Sequence, residues 1–282
     1  MRLAATPGLP TGAVRSDDAA TPKAHLRPYR CVMPEAPEHP VTTFRRRLGS
    51  LAKYPPGVVP VPAYLQGTAF FSAAAGLVVH DPDGPLPPFP FGGVMFVGHN
   101  LDSESAFRRR LASGQAHGGP GRPMLTWRNL YRLLDAAGLD AQQCFFTNAY
   151  VGLKGGDDPT GRFPGAGDPE FRAWCRAFLD DQIELMQPRV VATLGTDARR
   201  FVAALAPELS GWAPSRNPPP GVVRSQIGGR ATALVALLHP SGYHGSLGRR
   251  RYRDLTGLDA EAALLRDALE YGSESRRRRI GS

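Results

Sequence analysis

The sequence predicts an α/β fold: a single three-layer α/β/α domain with a central, mostly parallel four-stranded sheet. Three observations carry that expectation. Four short apolar runs are nearly free of polar residues, as strands covered on both faces must be. Stretches with helical periodicity separate them, and strands alternating with helices build parallel sheets. The 282 residues, 42% of them hydrophobic, suffice for one core of that size.

Residues 1–40 are rich in Ala, Pro, Asp and Arg, show no period and read as a disordered segment. The domain is expected over residues 41–272. Its start is broken by Pro55, Pro56, Pro60 and Pro62, and by the prolines between 85 and 90. Residues 94–97 form the first buried strand, ending at Gly98. Trp127, Leu130, Tyr131 and Leu134 then recur at i, i+3, i+4 and i+7 behind a Thr126 cap, and Gly138 ends that helix. Residues 144–147 are the second strand. Phe171, Trp174, Cys175, Phe178, Gln182, Leu185 and Met186 stripe a longer helix, with Asp168 as cap, Pro169 in its first turn and Pro188 as stop. Residues 189–194 are the third strand, and Thr196 caps the helix after it. Residues 233–238 are the fourth strand, running into His239. A last helix spans about 259–271, and residues 273–282 form a basic tail containing Arg276 to Arg279.

Composition narrows the function. The formal net charge is +9, and Lys23, Lys53 and Lys154 are the only lysines, so the positive charge is almost all arginine. Arginine suits planar contacts to phosphates and bases. A GC-rich genome would give the same bias through its codons. No apolar run approaches the roughly 18 residues of a membrane span, so no membrane partner is expected. The N-terminus lacks a charged region followed by an apolar run, which makes a cytoplasmic location the expectation. Cys31, Cys144 and Cys175 are too few and too scattered for a disulfide framework. The histidines and cysteines form no zinc-type array, so neither a metal nor another cofactor is expected. A monomer is the simplest state.

Ligands of open parallel sheets sit beyond the carboxyl ends of the strands. The polar residues after each strand are therefore the candidates. After the first come Gly98, His99, Asn100, Leu101 and Asp102, with Gly98 permitting close backbone approach. No dinucleotide or P-loop glycine pattern follows, and the loop also reads as a cap for the helix carrying Phe107 and Leu111. After the second strand stands Asn148, whose amide can both donate and accept and so read the edge of a base, or else form a turn. After the fourth come His239, Pro240 and Ser241. Pro240 keeps His239 extended, where its ring can donate to an oxyanion forming on a substrate. A satisfied strand-end histidine is the plainer reading. Beyond lie Tyr243, His244, Leu247, Arg249, Arg250, Arg251 and Arg253. Cations beside an apolar wedge suit DNA backbone contact with side-chain insertion, or a solvated basic face.

In combination these pieces resemble the uracil-DNA glycosylase superfamily over roughly residues 90–255. The likeness rests on the loop Gly98 to Leu101, the segment Gly121-Arg122-Pro123, and the helix end Ala136-Ala137-Gly138. It continues through Thr147-Asn148, the Cys175 helix, Leu194-Gly195 and His239-Pro240-Ser241. The resemblance implies hydrolysis of an N-glycosidic bond, releasing a damaged base from DNA after the nucleotide is flipped into a pocket. Asn148 would bond the base edge, His239 would stabilise the departing base, and Asn100 would handle water. Gly98, His99, Met124 and Ser241 would complete the substrate pocket. The efficient uracil-excising members carry Asp where this chain has Asn100, and an amide can position water but not deprotonate it. Asp102 or Glu104 is a candidate substitute carboxylate. The aromatic that stacks on the base is unassigned between the register position of Met124 and the alternatives Trp127 and Phe107. Iron–sulfur members use a Glu at the His99 position and four cysteines, so no cluster is expected. The alternative is a protein of this fold that binds DNA or a nucleobase derivative without the chemistry.

Overall fold

The central sheet has five strands, one more than the apolar runs predict. The computed structural model describes residues 38–60, 62, 69–70, 76–81, 84–113, 125–158, 161–210 and 221–280. In chain order the elements are α1 (Pro40–Gly49), β1 (Val58–Val59), β2 (Val94–Gly98), α2 (Glu104–Ala112), α3 (Leu125–Ala137), β3 (Cys144–Asn148), β4 (Leu153–Lys154) and α4 (Pro169–Met186). There follow β5 (Val190–Leu194), α5 (Gly195–Val202), β6 (Val223–Ile227), β7 (Arg230–Leu237), α6 (Tyr243–Ser246), β8 (Arg251–Tyr252), β9 (Leu255–Thr256) and α7 (Gly257–Ile280). Strand order is β3-β2-β5-β7-β6, the first four parallel and β6 antiparallel to β7.

The four parallel strands are the four apolar runs. Their alternate residues feed two separate cores, which is why the runs are continuous rather than alternating. Met95, Val97, Phe145, Val191 and Leu234 face Phe44 of α1, Phe178 and Ile183 of α4 and Phe201 of α5. Val94, Phe96, Phe146, Ala192 and Val235 face Leu130 and Leu134 of α3 and Leu264 and Ala268 of α7. Helices therefore cover both faces, giving the three layers.

The extra strand β6 escapes the apolar pattern because it is an edge. Its burial alternates, with Ser225 and Ile227 inside and Arg224 and Gln226 outside. The helix α1 is hidden behind the prolines. Val41, Phe44 and Leu48 are its buried face, His39 caps it, and Pro40 starts it. The expected cap Asp168 accepts from the Phe171 N–H at 2.8 Å. Two other expected caps are corrected. Thr126 lies inside α3, and α5 starts at Gly195, one residue before Thr196, with no side-chain cap. The backbone of α7 continues to Ile280, past the expected end near Tyr271, because no proline interrupts it. Residues 1–37 of the expected disordered segment lie outside the described residues. Among the described residues, no helix is long and apolar enough to cross a membrane.

The register decides where function can sit. Gly98 pairs with Asn148, and Leu194 pairs with Leu237. The carboxyl ends of β2, β3, β5 and β7 are thereby level, and the residues that follow them share one edge of the sheet.

Candidate active site

A cleft of about 610 Å³ opens along that edge. Gly98, His99, Asn100, Asn148, Gly195, His239 and Ser241 line it, with Asp102, Asp197, Phe70 and Trp127. The level strand ends thus bring together six of the residues predicted from sequence: Gly98, His99, Asn100, Asn148, His239 and Ser241.

Two glycines make the room. A Cβ on Gly98 would sit 2.4 Å from Asn148 Oδ1. A Cβ on Gly195 would sit 3.2 Å from the His239 Cβ, and its φ of +83° is strained for any other residue. Asn148 is 5% exposed and donates from Nδ2 to the Phe70 carbonyl. That bond fixes which way the amide faces, leaving Oδ1 and one N–H for a ligand. The His99 ring stands edge-on to Tyr150 at 5.3 Å and shares a side-chain hydrogen bond with Asn100. Burial lowers the His99 pKa, while Asp197 pulls it back up.

His239 is held from both sides. Its Nδ1 lies 2.7 Å from Ser241 Oγ and accepts the Ser241 backbone N–H at 3.3 Å. An Nδ1 that accepts leaves the ring proton on Nε2. Burial, reinforced by the charge of His99, holds the His239 pKa below its ordinary value. The ring is therefore a neutral donor near pH 7. Its turn is anchored at three points. Asn129 of α3 donates to the Pro240 carbonyl at 2.8 Å, the Leu238 N–H donates to Glu261 of α7 at 3.2 Å, and Arg250 donates to the Ala236 carbonyl at 3.0 Å. Arg250 and Glu261 pair at 2.9 Å with side chains 1% and 0% exposed.

The carboxylates sort themselves by partner. Asp102 lines the cleft but is paired with Arg110, and it also accepts the Ser103 N–H at 2.8 Å. Glu104 pairs with Arg108 on α2 and is not among the cleft-lining residues. Asp197, on the first turn of α5, lines the cleft and pairs with Arg200 at 3.3 Å. Sequence reasoning missed Asp197 and Phe70. Phe70 has a left-handed φ of 64° and sets its ring 5.2 Å from Trp127 and 5.0 Å from Phe146. No local pattern marks it; only its place over Asn148 does.

The expected DNA-contact set divides. His244 and Arg249 are exposed and Leu247 is partly so, on the turns after His239. Tyr243 and Arg250 are buried, which corrects their expected DNA contact. The Arg250 guanidinium is spent inside the protein, on Glu261 and the Ala236 carbonyl. Met124 lies outside the described residues. Among the described residues, no group of three or more His, Cys, Asp or Glu is placed to hold a metal ion.

The sequence profile of the Uracil DNA glycosylase superfamily matches residues 90–256, more than half of the chain. The chain belongs to this superfamily. A glycosylase-type role in DNA repair follows from that membership. The comparison with curated proteins gave no match. The superfamily span begins just before β2 and ends with β9. It contains the cleft residues from Gly98 to Ser241, but not Phe70, α1 or α7.

Proposed function

We propose that the protein is a DNA repair glycosylase that hydrolyses the N-glycosidic bond of a deaminated or mismatched base, uracil among them. One observation carries the reading: a neutral His239 with its Nε2 proton free for a ligand lines the same cleft as the amides of Asn148 and Asn100. The flipped base would enter between Phe70 and the strand ends. Asn148 would bond its edge through Oδ1 and the remaining N–H. As the C1′–N bond breaks, its electron pair moves onto the base, and His239 donates a hydrogen bond to the developing oxyanion. The sugar becomes an oxocarbenium-like electrophile. Water oriented by Asn100 then bonds to C1′ and its proton passes to the departing base anion, so the centre needs an oriented water rather than a deprotonated one. Phe70 would take the stacking role: it lines the cleft, and its carbonyl accepts from Asn148, which places it beside the amide that would bond the base edge. The exposed His244 and Arg249 and the partly exposed Leu247 would meet the DNA backbone and the gap left by the flipped base.

A panel of labelled oligonucleotides tests this. They carry uracil, hypoxanthine or xanthine, single-stranded or opposite each base, or a G:T mismatch, and alkali cleaves them after incubation. Strand breaks on at least one substrate are expected. Asn100→Asp is expected to raise uracil excision, since general-base help contributes up to about 10² to 10⁴ in rate. The second reading is a catalytically silent binder of DNA or a nucleobase derivative, in which Asn100, unable to deprotonate water, would mark the lost step. Absence of breaks from folded, DNA-binding protein, in both forms, would establish that reading instead.

A further inference from the structure

A second cleft, of about 500 Å³, lies beside the first and shares His99, Gly161 and Asp197 with it. Four arginines line it: Arg162, Arg172, Arg176 and Arg200. Among the described residues Asp197 is its one lining carboxylate and pairs with Arg200, so those lining side chains carry three more arginine charges than carboxylate charges. Arg172 and Arg176 stand four residues apart on α4, on the same helical face, where like charges repel. Their Nε atoms are buried, and neither has a hydrogen-bond partner among the described residues. The Arg176 guanidinium lies 5.6 Å over the Phe201 ring, a cation–π contact at the cleft wall. Four planar guanidiniums around one cleft, against a single lining carboxylate, match the oxygens of a phosphate.

We infer that this arginine cleft binds a backbone phosphate of the DNA strand whose nucleotide enters the neighbouring cleft. The inference rests on the DNA-acting reading above. A strand feeding a nucleotide past His99 and Asp197 must carry its phosphates along the rim that the two clefts share. Asp197 then does two things. It holds Arg200 at the phosphate side, and it acts electrostatically on His99, the hydrogen-bond partner of Asn100. Phosphate binding would therefore be felt at the residue that positions water.

The test uses an undamaged, fluorescein-labelled single-stranded oligonucleotide, so that it does not depend on excision. Fluorescence anisotropy gives the affinity of the full chain at several NaCl concentrations. The double variant Arg172→Gln/Arg176→Gln is expected to bind about tenfold more weakly, the size of one lost charge-assisted hydrogen bond. Its log affinity against log salt should flatten by about 0.7 for each phosphate that is no longer neutralised. Arg162→Gln/Arg200→Gln, at exposed positions, should act in the same direction and keeps the test open if the α4 pair disturbs folding. Arg230→Gln, at the opposite end of β7, should leave the slope unchanged. Slopes equal to wild type in both double variants overturn the inference. So does a wild-type protein that binds no DNA at any salt. So does inorganic phosphate binding that depends on the four arginines while the DNA slope does not. A flattened slope in a protein that excises no base leaves this site standing and removes the glycosylase reading alone.

Discussion

His239→Ala is expected to lower base excision by about 10² to 10³, the usual cost of removing one donor to a developing oxyanion. The structure makes this variant a clean one. The turn that carries His239 is not held by the imidazole alone. Asn129 holds the Pro240 carbonyl, Glu261 holds the Leu238 N–H, and Arg250 holds the Ala236 carbonyl. With those anchors intact, the backbone keeps its path when the ring is removed. Binding of DNA, which depends on the rim and not on Nε2, should change by less than about twofold, a difference of under ~0.5 kcal/mol. Single-turnover excision beside anisotropy binding reads both quantities. An unchanged excision rate would remove His239 from the chemistry; a parallel loss of binding would make its role structural.

The second large effect is on stability. Arg250→Ala removes the guanidinium from a pair buried on both sides and leaves Glu261 without it. Breaking such a pair costs about 3–5 kcal/mol, far more than the pair itself contributes over an apolar replacement. The pH dependence has a definite sign. Burial raises the Glu261 pKa, while Arg250 and the Leu238 N–H lower it. Without Arg250 the upward push is unopposed by that charge, and the carboxyl takes up a proton more readily when folded than when unfolded. A group raised in this way supports the fold at low pH and loses that support as pH rises through its folded value. The deficit of Arg250→Ala should therefore be larger at pH 8 than at pH 5.5, by urea denaturation. The double variant Arg250→Met/Glu261→Leu should recover much of it. A loss under about 1 kcal/mol at pH 8 would mean that the pair is solvated in solution.

What can be read in the sequence follows from what the residues have to do locally. The four parallel strands are legible because both of their faces are buried, and a run such as residues 94–97 has no polar side to hide it. The edge strand β6 has one open face, so its charged residues mask it. The Gly228-Gly229 turn, with φ of 56° and 72°, is its available signal, since two positive angles are what a tight hairpin needs. The site residues His239, Asn148 and Asn100 are legible because strand ends are where a parallel sheet must bind its ligand. Phe70 is not, because its position depends on a chain segment crossing Asn148 from outside the strand–helix alternation. The arginines after His239 differ by fate. Arg249 is exposed and Arg250 is buried, and three consecutive arginines contain nothing that says which one meets Glu261. Arg250 therefore reads as a DNA contact until the fold shows it facing inward.

The superfamily span stops at residue 256, and Glu261 stands five positions beyond it. The stretch matched by the superfamily profile is therefore shorter than the folded unit. A fragment trimmed to residues 90–256 would keep the polar side chains of the cleft, yet lose Leu264, Leu265 and Ala268 from one side of the sheet and Val41, Phe44 and Leu48 from the other. Its sheet would carry bare apolar ground on both sides, the kind of surface that drives self-association. The guanidinium beneath the His239 turn would have lost the Glu261 carboxylate. Transplanting or minimising this glycosylase domain by homology alone would separate the reacting groups from the scaffold that keeps them soluble and aligned.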